Sequence, residues 1–254
     1  MSKTIVFITG GNNGLGYYAT QQLAATGRYH ILMGSRSVQK AEAAIESLAG
    51  DQSLKVNTAD IEPVQIDVTS DESISNAASS VEKRHGHIDI LMVNAGIAQA
   101  QAPDANGSGP SLRDLYRSHY DTNLFGAAIT VEAFLPLLRK STAPGGKRIA
   151  FTSSDLSSLK IAREDEGLYS AKNFPLYRSS KTALNMVMLH YHKLLASEGF
   201  TVAASNPGYC ATDLNGKRGA KDPREGAKVL IEAAVGEKEK VGGWLMDEKG
   251  VMPW

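Results

Sequence analysis

The stretch that decides the fold reads Thr9-Gly10-Gly11-Asn12-Asn13-Gly14-Leu15-Gly16 and follows directly on the apolar run Ile5-Val6-Phe7-Ile8. The residues after it have the periodicity of a helix, so the glycines lie between a strand and a helix. Glycines let the backbone approach a phosphate, and the amide groups that open the helix hold phosphates without a basic side chain. The spacing is Gly-x-x-x-Gly-x-Gly, and its place after the first strand predicts dinucleotide binding. The expected contacts are Gly10, Asn12, Asn13, Gly14 and Leu15.

The rest of the chain continues the alternation of strand and helix. Apolar runs predict strands near residues 4–9, 29–34, 62–67, 88–93, 147–153, 200–206 and 242–246. Helical periodicity covers residues 14–26, 38–49, 71–85, 112–140 (with room for a break), 175–198 and 223–235. This pattern predicts a single α/β domain over residues 1–254, a doubly wound (Rossmann) fold of about seven parallel strands flanked by helices on both faces.

Composition excludes several classes of protein. Lys plus Arg and Asp plus Glu each number 27, so no global field favours nucleic acid or an anionic membrane. Cys210 is the single cysteine, which excludes an intrachain disulfide and fits a reducing compartment. The apolar run at the amino terminus is too short to span a bilayer. We expect a soluble, cytoplasmic protein that binds neither nucleic acid nor membrane.

The end of the second predicted strand indicates which dinucleotide binds. A carboxylate at this position accepts hydrogen bonds from the free ribose 2′-hydroxyl of NAD, whereas arginine suits a 2′-phosphate. Ser35 and Arg36 stand there, twenty residues beyond Gly16, and no carboxylate is present. The sequence therefore favours NADP(H), with both residues at the adenosine ribose.

Tyr177 and Lys181 have the spacing of an acid-base pair. Of nine tyrosines, Tyr177 alone has a lysine four residues further on. On a helix the two lie one turn apart on the same face, and a nearby cation favours phenolate. A surface pair without consequence has the same spacing, so the other motifs have to decide.

Taken together, the motifs resemble the short-chain dehydrogenase/reductase family, on its carbonyl-reductase side, over essentially the whole chain. In chain order they are Thr9-Gly10-x-x-x-Gly14-x-Gly16, Asp67-Val68, Asn94-Ala95-Gly96, Asn123, Ser153-Ser154, Tyr177-x-x-x-Lys181 and Pro207-Gly208-x-x-x-Thr212.

The resemblance implies four catalytic residues. Tyr177 would donate a proton to the substrate carbonyl, or accept it in the oxidative direction. Lys181 would depress the pKa of Tyr177 and hydrogen-bond the nicotinamide ribose. Ser154, preferred to Ser153, would hold the substrate oxygen, and Asn123 would anchor a water that relays protons.

The resemblance also implies further contacts to the cofactor, beyond those of the glycine loop, Tyr177 and Lys181. Thr212 would bond the nicotinamide carboxamide. The other expected contacts are Asp67 and Val68 at the adenine, Asn94, Ala95 and Gly96 behind the cofactor, and Pro207, Gly208 and Cys210 near the nicotinamide.

One departure from the family pattern concerns access of the substrate. Ser154 and Tyr177 are 23 residues apart, about twice the usual separation, so a loop is inserted before the tyrosine. Together with Ile97–Leu112 and Tyr209–Asp222, the segment Asp155–Pro175 should wall a pocket for a mainly apolar small molecule. The insertion could also cover a face that relatives use for association, which leaves self-association undetermined.

The six histidines do not predict a metal site. His85 with His87, and His190 with His192, are spaced i, i+2, which does not place both rings of a pair on one helical face. No acidic helix motif accompanies them, so we expect no metal.

The sequence leads to one main hypothesis and two alternatives. The main one is an NADP-dependent oxidoreductase that reduces a ketone or aldehyde, or oxidises the corresponding alcohol. An NADPH-binding regulator or scaffold without turnover is the first alternative. The second is a cyclase or isomerase that keeps the cofactor bound while acting on a larger metabolite.

Overall fold

The residues that the structure describes fold around an open sheet of eight strands. The computed structural model describes residues 2–51, 53–98 and 109–254. The strands are β1 (Thr4–Ile8), β2 (Tyr29–Ser35), β3 (Ile61–Gln65), β4 (Ile90–Val93), β5 (Arg148–Thr152), β6 (Thr201–Ser205), β7 (Leu245–Asp247) and β8 (Gly250–Val251). Their order across the sheet is β3-β2-β1-β4-β5-β6-β7-β8. Strands β1 to β7 pair in parallel and β8 pairs antiparallel with β7. The predicted doubly wound sheet is confirmed, and the added β8 is too short to show a period in sequence.

Helices cover both faces of the sheet. They are α1 (Gly14–Ala25), α2 (Val38–Gly50), α3 (Asp71–His85), α4 (Leu112–Tyr120), α5 (Gly126–Arg139), α6 (Leu159–Glu164), α7 (Pro175–Leu194), α8 (Pro223–Val235) and α9 (Lys238–Val241). The predicted helix 112–140 is broken by a π-helical turn at Asp121–Phe125. The segment 155–175, expected to be irregular, contains α6, which Ser158 caps by accepting a 3.1 Å hydrogen bond from the Ile161 amide.

The core has two halves because β1 is buried on both sides. Phe7 packs with α3, α5 and α7, and its ring centroid is 4.4 Å from that of Phe134. Val6 and Ile8 point to the other face and pack with α1, α2 and α8. Such side chains contribute roughly 1.5–3 kcal/mol each when fully buried. Burial on both faces explains why the strands read as continuous apolar runs.

The order of the strands places a crevice between β1 and β4. Successive strands leave in opposite directions from this point, and ligands of open α/β sheets bind outside the carboxyl ends of the strands there. The glycine loop follows β1 and Asn94 follows β4, so both lie at this edge. Among the residues described, no helix is long and apolar enough to cross a membrane.

Candidate active site

The glycine loop has a backbone that side chains would disturb. Gly10 and Gly14 have φ values of 64° and 54°, in the left-handed region. A Cβ at Gly16 would lie 2.3 Å from the Gly10 carbonyl oxygen. Asn13 caps α1, because its Oδ1 accepts a 2.7 Å hydrogen bond from the Gly14 amide. These features leave the first amides of α1 facing the crevice, as a phosphate site requires.

The side chains of Asn12 and Leu15, two other residues of the glycine loop, have different surroundings. Asn12 is partly buried. Leu15 packs with the core on the α1 side, and its Cδ2 would be 2.9 Å from a Cβ at Gly226 of α8. The side chain of Leu15 therefore anchors α1, and any contact with a phosphate falls to its backbone.

Thr9 and Asn94 tie the ends of β1 and β4 together. Thr9 Oγ1 accepts hydrogen bonds from the amides of Asn94, at 2.9 Å, and Ala95, at 3.0 Å. Asn94 Nδ2 donates in return to the carbonyls of Thr9, at 2.9 Å, and Gly10, at 3.2 Å. The site prediction did not include Thr9, although the fully buried side chain holds both loops. Its position at the end of an apolar strand was the available signal.

The predicted adenosine end lies beside β2 and β3. Ser35 ends β2 and is buried, whereas Arg36 is exposed. Burial acts to raise the pKa of Asp67, but hydrogen bonds from Thr69 and the charge of Arg36 outweigh it and hold that pKa below its usual value. Val68 lies against α5, where a Cβ at Gly126 would be 2.2 Å from the Val68 carbonyl oxygen. The structure thus brings Arg36 and Asp67 close enough to interact.

The segment after β6 crosses in front of the glycine loop. A Cβ at Gly14 would lie 3.6 Å from Thr212 Cβ. Asn13 Nδ2 donates a 3.0 Å hydrogen bond to Asp213 Oδ2. Gly208, with φ of 80°, sets the turn after Pro207. Thr212 is therefore placed beside the start of α1.

Cys210 turns its thiol away from this opening. Its Sγ donates to the Pro207 carbonyl at 3.3 Å and packs against Gly226 of α8. Burial raises the pKa of the thiol to about 11, so the group is protonated at neutral pH. Only the backbone of Cys210 is left to face a cofactor.

Tyr177, near the start of α7, meets the end of β5. Its phenol lies beside the Ser154 hydroxyl, which acts to lower the pKa of Tyr177. Ser153 points the other way and donates a 2.6 Å hydrogen bond to Asn185 Oδ1 inside the protein. Adjacent residues of an extended segment face opposite sides, which explains the difference between the two serines. Pro175 at the first position of α7 fixes where the helix begins, two residues before Tyr177.

Lys181 and Asn123 meet beneath Gly96. Lys181 Nζ donates a 2.7 Å hydrogen bond to the Thr152 carbonyl and lies 5.8 Å from the centroid of the Tyr177 ring. A Cβ at Gly96 would lie 3.1 Å from Asn123 Oδ1 and 3.4 Å from Lys181 Nζ. Gly96 thus keeps this space open.

The side-chain amide of Asn123 is engaged by the chain itself. Its Oδ1 accepts a 2.8 Å hydrogen bond from the Ile97 amide, and its Nδ2 donates to the Ile97 carbonyl at 2.9 Å. Nδ2 also lies 3.0 Å from Ser180 Oγ. The buried amide therefore joins the segment after β4 to α7, across the π-helical turn.

Burial, and not the neighbouring ammonium, sets the protonation of Tyr177. Burial raises the pKa of the phenol, the hydrogen bond to Ser154 lowers it in part, and the charge of Asp155 raises it further. The expectation that Lys181 depresses this pKa is wrong for this structure. The Lys181 ammonium is itself buried, which lowers its own pKa to about 8. Tyr177 is therefore a protonated phenol at neutral pH, as a proton donor must be.

Three residues that sequence reasoning missed surround the pair of Ser154 and Tyr177. Asp155 Oδ1 accepts a 3.0 Å hydrogen bond from Ser154 Oγ, and the same carboxylate acts to raise the pKa of the nearby Tyr169. The buried guanidinium of Arg178 donates to the carbonyls of Leu156, Tyr169 and Asn173. The inserted segment is thus fastened to α7 next to the phenol. A carboxylate directly after Ser154 was the one local signal.

Two of the three predicted pocket walls are described in full. The segments 155–175 and 209–222 approach each other, because Tyr209 is close enough to Tyr169 to affect its pKa. Of the first wall, residues 99–108 lie outside the described residues.

Replacing Lys181 with methionine tests its burial through stability. The pKa of Lys181 is about 8 in the folded protein and about 10.4 in an unfolded chain. Between these values the unfolded state binds more protons, so this lysine adds stability as pH rises. We expect the stability advantage of Lys181→Met over wild type to fall by about 2 kcal/mol between about pH 7 and about pH 9.5, in urea unfolding.

The control for this comparison lies on the same helix. Lys193 of α7 is exposed, and Lys193→Met controls for the loss of a lysine side chain from this helix. A pH-independent difference between Lys181→Met and wild type would contradict the lowered pKa of Lys181.

A family model, curated proteins and solved structures all match this chain, and the matches agree with one another. The sequence model described as short chain dehydrogenase matches residues 4–223. "Short-chain dehydrogenase anuI" of Penicillium roqueforti is 39% identical over 255 residues, covering 99% of this chain and 97% of that protein. "Short-chain dehydrogenase/reductase tropE" of Talaromyces stipitatus is 33% identical, covering 92% and 87%. The NADPH-bound carbonyl reductase from chicken fatty liver superposes with a TM-score of 0.82 at 27% identity, covering both chains completely.

Proposed function

The chain belongs to the short-chain dehydrogenase family, and from this premise we propose that it is an NADPH-dependent reductase of a ketone or aldehyde on a mainly apolar small molecule. Tyr177 is the proton donor in this proposal. The observation that carries it is the protonated phenol of Tyr177, which lies beside the Ser154 hydroxyl and one helical turn from Lys181. These side chains lie at the crevice that the glycine loop borders.

The residues of the crevice fit a dinucleotide. Gly10, Gly14 and Gly96 leave room that a Cβ would occupy, and the amide end of α1 suits a pyrophosphate. Arg36 is exposed beside Asp67, where a 2′-phosphate would gain a charge-assisted contact. The NADPH-bound carbonyl reductase with the same fold supports this choice of cofactor. When bound, NADPH supplies the hydride.

The chain's own residues hold the substrate oxygen and deliver the proton. The Ser154 and Tyr177 hydroxyls are neighbours, so one carbonyl oxygen can accept a hydrogen bond from each. For this the Ser154 hydroxyl, which donates to Asp155 at 3.0 Å, has to rotate toward the substrate. Tyr177 then gives its proton to the developing alkoxide. Lys181, whose Nζ lies 5.8 Å from the centroid of the Tyr177 ring, carries a positive charge near the phenolate that is left at pH values below its own pKa of about 8.

The walls of the crevice support an apolar substrate. Several large apolar side chains in and around the inserted segment and the segment after β6 are exposed: Leu159, Leu168, Phe174, Tyr209 and Leu214. Exposed apolar groups around a few convergent polar ones are typical of small-molecule sites. Asp155 and Tyr169 add polar groups near the reacting carbon.

The test of the proposed function is a substrate screen with matched NADPH and NADH. Purified protein is assayed against ketones, quinones and aldehydes, and the loss of reduced cofactor is followed by absorbance. We expect turnover of apolar carbonyl compounds with NADPH preferred. NADPH binding without oxidation across the panel would refute the reductase and favour a binding protein or a cofactor-retaining cyclase or isomerase.

Arg36→Asp tests the choice of cofactor. The variant replaces a cation by a carboxylate where the 2′-phosphate is proposed to lie. Loss of a charge-assisted contact should weaken NADPH binding by about 10- to 100-fold, while NADH binding improves. The control is Arg28→Asp. Arg28 lies just before β2, at the opposite end of that strand from Arg36, so this change should leave both affinities unchanged. An unaltered cofactor preference in Arg36→Asp would show that the 2′-phosphate is bound elsewhere.

A further inference from the structure

A cluster of two histidines and one glutamate lies far from the crevice. His30 is near the amino end of β2, Glu62 near the amino end of β3, and His85 is the last residue of α3. The seven residues of β2 span about 20 Å, and they separate this edge from Arg36 at the other end of the strand. The cluster therefore takes no part in the proposed reduction.

The three side chains converge. Glu62 Oε2 lies 3.0 Å from His85 Nε2 and 3.6 Å from His30 Nε2. The candidate ligand atoms all lie within 4.8 Å of one another. In a tetrahedral zinc site, ligand atoms at about 2.1 Å from the metal are about 3.4 Å apart. Small rotations of two imidazoles would bring this cluster to that geometry.

The imidazoles are prepared to act as ligands. Each imidazole can offer one ring nitrogen to a metal ion, and the Nε2 atoms of both face Glu62 Oε2. Within the described part of the chain, His30 Nε2 is inaccessible to water and has no hydrogen-bond partner. A buried polar atom without a partner is unfavourable, and a metal ion would satisfy it.

We propose that His30, Glu62 and His85 form a zinc-binding site with a fourth position open to water. Two imidazole nitrogens and one carboxylate oxygen are a ligand set that suits Zn²⁺. The side chains of His30 and Glu62 are each 25% exposed, so the cluster lies close to solvent, and rotation of the imidazoles is needed to open the covered His30 Nε2 to an ion. The site joins β2, β3 and α3, and a bound ion stabilises the folded state by mass action.

The charged residues around the cluster suggest a further variant that tests zinc affinity. Arg84 pairs with the other carboxylate oxygen, Oε1, of Glu62. Nearby, Lys3 pairs with Asp60. The Arg84 guanidinium engages Oε1 of Glu62, which leaves Oε2 as the single oxygen for the metal. Its positive charge also repels Zn²⁺. Arg84→Gln should therefore bind Zn²⁺ more tightly than wild type does.

The spacing rule for histidines does not detect this cluster, and the sequence led us to expect no metal. His30, Glu62 and His85 come from three separate elements and are 32 and 23 residues apart along the chain. Their meeting depends on the pairing of β2 with β3 and on the packing of α3 against that edge.

Calorimetric titration with zinc chloride tests the proposal. The full chain, without a polyhistidine tag, is treated with a chelator, exchanged into neutral buffer and titrated. We expect one Zn²⁺ per chain and a higher unfolding temperature with Zn²⁺ present. His30→Gln, His85→Gln and Glu62→Gln should each weaken binding at least tenfold.

His87→Gln is the matched control. His87 Nε2 lies 3.6 Å from Asp89 Oδ1, outside the triad, and its loss should leave zinc affinity near that of wild type. The unfolding temperature of each variant without zinc separates loss of a ligand from loss of the fold. Glu62→Gln, which keeps the side-chain shape, serves if a histidine variant is unstable. No stoichiometric binding, or binding that survives all three ligand substitutions, would overturn the proposal.

Discussion

Tyr177→Phe should lower carbonyl reduction by about 10²- to 10⁴-fold while NADPH binds nearly as in wild type. The substitution removes one oxygen atom, the one beside the Ser154 hydroxyl, and keeps the ring. Because burial keeps this phenol protonated, its loss removes a proton donor and not a charge. The measurement is kcat with the best substrate of the screen, together with a fluorescence titration of NADPH.

The matched control is Tyr191→Phe on the same helix. The Tyr191 hydroxyl donates a 2.7 Å hydrogen bond to Glu132, away from the crevice. Removing this oxygen should leave kcat unchanged and affect stability alone. If Tyr177→Phe turned over substrate at the wild-type rate, the proton would have to come from another group, and the proposed role of Tyr177 would be wrong.

Gly16→Ala should weaken NADPH binding by about 10²-fold. An added Cβ would lie 2.3 Å from the Gly10 carbonyl oxygen and 2.6 Å from Asn94 Nδ2, distances that real Cβ contacts do not reach. Neither neighbour is the end of a flexible side chain, since Asn94 is itself bonded to Thr9 and Gly10. The glycine loop and the start of α1 must therefore move, and displacements of about 1 Å in a binding site have effects of this size.

Gly50→Ala provides the comparison for this substitution. Gly50 ends α2, and a Cβ there meets nothing within 4 Å. Its NADPH affinity should equal that of wild type, and circular dichroism of both variants checks that the fold is retained. Wild-type affinity in Gly16→Ala would mean that the loop accepts the methyl group without moving, so that close packing is not what shapes the phosphate site.

Most of the fold could be predicted from the sequence because the sequence patterns of a parallel α/β sheet are local. Apolar runs and helical periodicity predicted β1 to β7 to within a few residues, and the six predicted helical segments correspond to α1, α2, α3, α4 with α5, α7 and α8. The errors have local causes as well. Strand β8 is two residues long, and α6 is a six-residue helix held by the Ser158 cap within a polar segment. Neither is long enough to establish a period.

The catalytic candidates could be named from the sequence, but their surroundings could not. Tyr177 and Lys181 share a helix, so their proximity follows from a four-residue spacing. The contacts of the inserted segment could not be predicted in this way: Asp155, the neighbour of Ser154 in sequence, lies close to Tyr169, which Arg178 fastens to α7. Such contacts depend on how a long loop folds back, which the spacing of residues does not record.

What the sequence by itself determined is the class of the fold, the family and the order of its motifs along the chain. The tertiary structure alone decided the protonation of Tyr177 and Lys181, because burial depends on everything packed around a group. It alone brought His30, Glu62 and His85 together, since residues on separate strands and helices meet only when the sheet is assembled. The periodicity of apolar residues is a local property of the sequence, whereas desolvation and long-range contacts exist only in the folded molecule.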